Sequence, residues 1–173
     1  MQDSDLISAI GSGDALVLLF VTMPLAFATV VGAGLTTPFG EMERTDGFPM
    51  ARLRATHLVG LLAFSALALG VLGATWTVGN VAGHVLRNFT GYAGLSFMAV
   101  RLVDGRLSWS LPFAYAVLAF WLGTTPSGQS AWWAWPRLMP GQEGLVLLPL
   151  GLFALELAIV VALGPKDGAG SEE

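Results

Sequence analysis

Cysteine is absent from this 173-residue chain, which excludes disulfides, thiolate metal sites and a cysteine nucleophile. Charge is almost as scarce: 12% of the residues are Asp, Glu, Lys or Arg, about half the usual share in soluble domains, roughly 25%. No G-x-x-x-x-G-K-[ST] loop is present, so the chain carries no ATPase of this type. No serine stands in G-x-S-x-G, so nucleophilic hydrolysis has no support. Lys and Arg total eight and nowhere form a basic patch, which excludes a nucleic-acid footprint. The opening MQDSDLISAIGSGD contains no Lys or Arg. A secretory signal needs a positive start, so the first apolar run is expected to stay as a membrane span.

What remains is apolar. Hydrophobic residues make up 54% of the chain, and the mean hydropathy is +0.69. A membrane helix needs about twenty predominantly apolar residues, and five stretches answer: 15–37, 55–78, 82–103, 107–124 and 144–163. Pro24 lies inside the first, where a mild kink is tolerable if neighbours satisfy the freed carbonyl. The third contains Arg87 and Arg101, fourteen residues apart. That is about 21 Å along a helix, so each would snorkel to an opposite interface. Asp104-Gly105 signals a tight turn into the fourth. The expectation is an all-α, polytopic membrane helix bundle with about five transmembrane helices. A short acidic tail over 1–14 would precede one helical domain over 15–163, and 164–173 reads as a disordered tail.

Orientation follows from Lys and Arg near the span ends. With the N-terminus outside, Arg44, Arg52, Arg54, Arg101, Arg106 and Lys166 face the cytoplasm, while Arg87 and Arg137 face outward. The asymmetry places the C-terminus and loop 38–54 in the cytoplasm, and the Trp-rich loop 125–143 outside. Trp132, Trp133 and Trp135 are then expected as interfacial anchors in the headgroup layer. His57 and His84 lie on opposite sides in this topology. They cannot share a metal or heme iron, and no metal site or other cofactor is expected.

Two places could carry function. Glu156 stands in the fifth span about 10 Å from its inner end, where an isolated carboxylate must pair or be protonated. Arg101 and His57, at nearby depths, are its candidate partners. The pair reads either as a proton- or substrate-handling site or as a structural lock between helices. Small residues at Ala154, Ala158 and Ala162, Ala28 and Gly32, Ala66, Gly70 and Ala74, and Gly79 and Gly83 read as close-packing helix faces. Asn88-Phe89-Thr90 matches a glycosylation sequon, but at the lip of a span it is out of a transferase's reach.

The second place is the polar island PFGEMERTDGFPMARLRATH, Pro38 to His57. It holds Glu41, Glu43, Arg44, Asp46, Arg52 and Arg54 among Phe39, Met42, Phe48 and Met50. Such a mixture suits a short helix that lies on a membrane and touches a cytosolic partner. It also suits an ordinary loop whose arginines hold orientation.

Glu43, Arg44, Gly47, Arg52 and Arg54 resemble the E-R…G…-R segment of the membrane subunits of bacterial ABC exporters, whose ATP-binding domains sit on a separate chain. The run RNFTGYAGLSFMAVRLVDGRLSWSLPFAYAVLAFWLG is similar to small, transport-related integral-membrane proteins of actinobacteria. A permease of this type has six spans and an internal N-terminus; five spans here correspond to that unit without its first. The resemblance implies a non-catalytic, permease-like subunit in the plasma membrane. A separate cytosolic ATPase would dock on Phe39, Glu41, Glu43, Arg44, Arg52 and Arg54. Its helices would pack with a second copy or another membrane chain, within the lipid bilayer. The alternative is a membrane scaffold, assembly or self-protection (immunity) protein that binds another membrane protein and transports nothing.

Overall fold

A computed structural model describes residues 14–35, 50–75, 81–103, 105–138 and 147–163. The described residues form five α-helices: α1 (Asp14–Ala33), α2 (Met50–Ala74), α3 (Val81–Leu102), α4 (Ser110–Leu122) and α5 (Leu147–Leu163). Two single 3₁₀ turns, Gly105–Leu107 and Trp135–Arg137, punctuate the chain. No strand occurs among the described residues; one isolated antiparallel bridge joins Thr124 and Ser130. The class is all-α, and each helix falls within or close to one of the five apolar stretches.

Local chemistry sets several boundaries. Pro112 and Pro149 stand third in α4 and α5, in the first turn, where a missing N–H removes no intrahelical bond. Pro24 lies inside α1, which continues through it, and is buried. At the end of α4, Gly123 donates to the Ala119 carbonyl at 3.0 Å and is followed by extended chain rather than another turn. Of these helices α2 alone, over Ala55–Ala74, is long and apolar enough to cross a membrane by length and composition. Val21–Ala33 and Leu147–Val160 are shorter apolar helices.

The bundle is built around α3. Helices α1, α2, α4 and α5 all pack on it, and Val85, Phe89, Tyr92, Ala93, Phe97 and Val100 are buried. Small residues make this crowding possible. A side chain on Gly94 would approach Phe153 N of α5 to 3.0 Å, and one on Gly32 of α1 would meet Ser96 Cβ at 2.8 Å. By contrast, α2 leaves Val59, Phe64, Leu67 and Val71 exposed, and α4 leaves Phe113, Leu118, Phe120 and Trp121 exposed.

Contacts also give directions. Gly91, Gly94, Phe97 and Arg101 of α3 meet Pro149, Phe153, again Phe153, and Glu156 of α5 in the same order. Helices α3 and α5 therefore run parallel. Gly73 at the end of α2 abuts Ala82 at the start of α3, which makes that pair antiparallel. Gly34, just past α1, lies against Leu61 in the N-terminal half of α2. Helix direction alternates along the chain.

Candidate functional site

Polar side chains gather at three levels along α3. At its C-terminal end, Arg101 Nη1 lies 3.9 Å from Glu156 Oε2 of α5. Glu156 is 8% exposed, whereas the arginine is half-buried. At this distance the two attract without a hydrogen bond, and Oε2 has no hydrogen-bond partner among the described residues. Arg101 and Glu156, expected to converge, do. His57 does not join them: it is exposed on α2, and no ion pair links it to Glu156 among the described residues.

The middle level holds two buried hydroxyls. Tyr92 and Ser96 are fully buried and follow each other at i and i+4, and neither hydroxyl makes a hydrogen bond within the described protein. Ser96 faces Gly32, and the buried Ser108, beyond the end of α3, faces the same glycine.

The N-terminal level overturns the expectation that Arg87 snorkels to an interface. Arg87 is 6% exposed. Its Nη2 donates to the carbonyls of Trp135 at 2.8 Å and Leu138 at 2.9 Å. Asn88 Oδ1 accepts from Arg87 Nε and Nη2 at 3.3 Å, and Asn88 Nδ2 donates to the Pro136 carbonyl at 3.3 Å. Besides Asn88 of its own helix, the arginine finds its closest partners in a distant segment. Asn88, the sequon asparagine, is itself buried.

Those carbonyls belong to the Trp-rich segment, which is folded rather than merely laid on a surface. Thr125 N donates to Gln129 O at 2.8 Å, and Ala131 N to Gly123 O at 2.8 Å; Gly128 turns the chain at φ 78°, a conformation that costs glycine little. The three tryptophans have different environments. Trp132 is exposed and Trp133 half-buried, but Trp135 is 3% exposed. Its ring stacks on Tyr115 of α4 at 4.1 Å and occupies the space left by Gly91. Trp135 is thus a core residue, not a headgroup anchor. Tyr115 also donates its hydroxyl to the Trp133 carbonyl, and Arg137 Nη1 donates to Phe120 O at 2.6 Å while lying over the Phe120 ring.

Phe39, Glu41, Glu43 and Arg44 of the expected docking loop lie outside the described residues, as do 1–13 of the N-terminal tail and the C-terminal tail 164–173. Arg52 and Arg54 fall in the first two turns of α2, where the backbone alone is described. No group of three or more His, Asp or Glu side chains among the described residues could hold a metal ion. Set beside known proteins, the chain matches no family model, no curated protein and no solved structure.

Proposed function

We propose that the chain is a multi-pass plasma-membrane protein that serves as a non-catalytic, permease-like subunit of a transport complex. A separate ATP-binding protein would dock on residues 38–57. The membrane part of the reading rests on the exposed faces of α2 and α4, where Val59, Phe64, Leu67, Val71, Phe120 and Trp121 have no protein cover. Apolar surface on this scale is unfavourable in water and ordinary in lipid. Alternating helix direction supports the same reading, since each connection returns the chain across the bundle.

The observation that carries the docking part is the overhang of α2. Gly34, at the end of α1, is level with Leu61, which is eleven residues into α2. About 16 Å of α2 therefore extends past α1 at 1.5 Å per residue, and that overhang bears Arg52 and Arg54. A helical segment that extends past α1 at the end of the bundle nearest Arg101 and Glu156 is a suitable lever for an external energy source.

The second reading, a scaffold or immunity protein, draws on the fate of the polar groups. Arg87 and Asn88 are consumed by backbone carbonyls, and Arg101 lies beside the opposite charge of Glu156. A hydrophilic path would need such groups free to face a substrate. Co-purification from native membranes separates the two. The transport reading expects an ATPase that is lost on charge reversal at Glu43 and Arg44. A single membrane partner, recovered with no ATPase and indifferent to those changes, selects the scaffold.

A further inference from the structure

Helix α4 is too short to match its neighbours. Its thirteen residues span about 20 Å, against about 33 Å for the twenty-two residues of α3 and about 30 Å of hydrocarbon in a bilayer. The chain does not leave the bundle where α4 stops. Ala131, Ala134, Trp135, Pro136 and Leu138 are buried, and the carbonyls of Trp135, Pro136 and Leu138 are taken by Arg87 and Asn88. Arg87 stands six residues into α3, about 9 Å along it. Irregular backbone at membrane depth is tolerated only where protein satisfies its polar groups, and here a guanidinium with several donors and an amide do so.

We propose that residues 123–138 form a re-entrant cap that replaces the missing turns of α4, seals that end of the bundle, and is held closed by Arg87 and Asn88. The inference rests on the membrane reading above. Arg87 is a positioning residue: it acts by holding the cap in place. Tyr115, stacked on Trp135 and bonded to Trp133 O, and Arg137, bonded to Phe120 O, fasten the cap to α4. The Trp135 ring plugs the hollow at Gly91, directly above the level of the unbonded Tyr92 and Ser96 hydroxyls. The exposed tip, around Ser127 and Gly128, stays in water.

The absence of cysteine makes single-cysteine labelling clean. Cysteine would replace Ser127 at the tip, Ala134 in the cap or Ala93 in the core, one at a time. Intact cells would be treated with a membrane-impermeant maleimide, and detergent-solubilised samples with a permeant one. The expected pattern is rapid labelling of Ser127→Cys in intact cells, with Ala134→Cys and Ala93→Cys protected. Adding Arg87→Ala should raise labelling of Ala134→Cys by about tenfold or more, because two charge-assisted bonds are lost, while Ala93→Cys stays protected. Asn88→Ala and Arg87→Lys should give smaller rises, which keeps the test meaningful if Arg87→Ala misfolds. Equal labelling of Ala134 and Ser127 in the parent overturns the cap. So does protection of Ala134 in all three variants, or exposure of Ala134 only together with Ala93. A Ser127→Cys protein that labels only after lysis and fractionates with soluble proteins instead overturns the membrane reading.

Discussion

A methyl group on Gly91 would lie 2.7 Å from Trp135 Nε1 and 2.9 Å from Pro149 Cβ, so one hydrogen atom's worth of space joins α3, the cap and α5. Gly91→Ala is expected to cost about 1–3 kcal/mol, the usual penalty for overpacking a filled core. The thermal midpoint of the detergent-solubilised protein measures it; an unchanged midpoint would mean that Trp135 relaxes freely. Glu156 and Arg101 should differ in their response. In Glu156→Gln the shape of the buried side is kept and half-buried Arg101 can turn outward, so the loss should be small. Arg101→Ala leaves a carboxylate buried without its counter-charge, at a cost on the order of 3 kcal/mol. Equal melting losses for the two variants would contradict this ordering. His57→Ala, at an exposed position, should leave the midpoint where it is.

Among the elements, α3 was the hardest to read from sequence, and it became the centre of the bundle. Its two arginines argued for helix ends at two interfaces, because partners 48 and 51 residues away are invisible to a local pattern. The apolar runs of α1, α2 and α5 were legible because length and composition alone define them. Small-residue spacing was a divided guide. Ala28 and Gly32 do pack inward, with Gly32 against Ser96, but Ala154 and Ala158 face away from the bundle. Spacing reveals a stripe without telling which way it points. Trp135 was hidden similarly: an indole at a membrane edge and one filling the hollow at a glycine look the same in a linear string. For the cap, Tyr115→Phe keeps the ring stack on Trp135 and removes the hydroxyl's bond to Trp133 O. It should cost about 1 kcal/mol, and Tyr115→Ala about 3 kcal/mol or more. Equilibrium unfolding of both variants checks the order, and a Phe variant as damaged as the Ala variant would place the whole effect in the hydroxyl.

At the scale of the whole molecule, the five described helices, alternating in direction, put the start of α1 and the end of α5 at opposite ends of the bundle. Under the orientation proposed from Lys and Arg placement, a reporter fused after Glu173 should be active in the cytoplasm, and one inserted at Ser127 active outside. The reverse result would invert the orientation while leaving the helix packing untouched, and activity of both on one side would break the alternation itself.

Order of synthesis adds a constraint that the finished bundle conceals. Arg87 is made before the carbonyls of Trp135 and Leu138 that receive it. Under the membrane reading proposed above, α3 must wait, while the ribosome is still extending the chain, with a guanidinium that lacks those two carbonyls and has Asn88 of its own helix to bond, held at the membrane's edge or by the insertion machinery. A chain stopped after α4, at about residue 124, should therefore leave α3 inefficiently integrated and open to alkaline extraction, whereas one continued through α5 should resist it. Equal resistance of the two would show that α1 and α2 alone shelter Arg87 until its partners arrive.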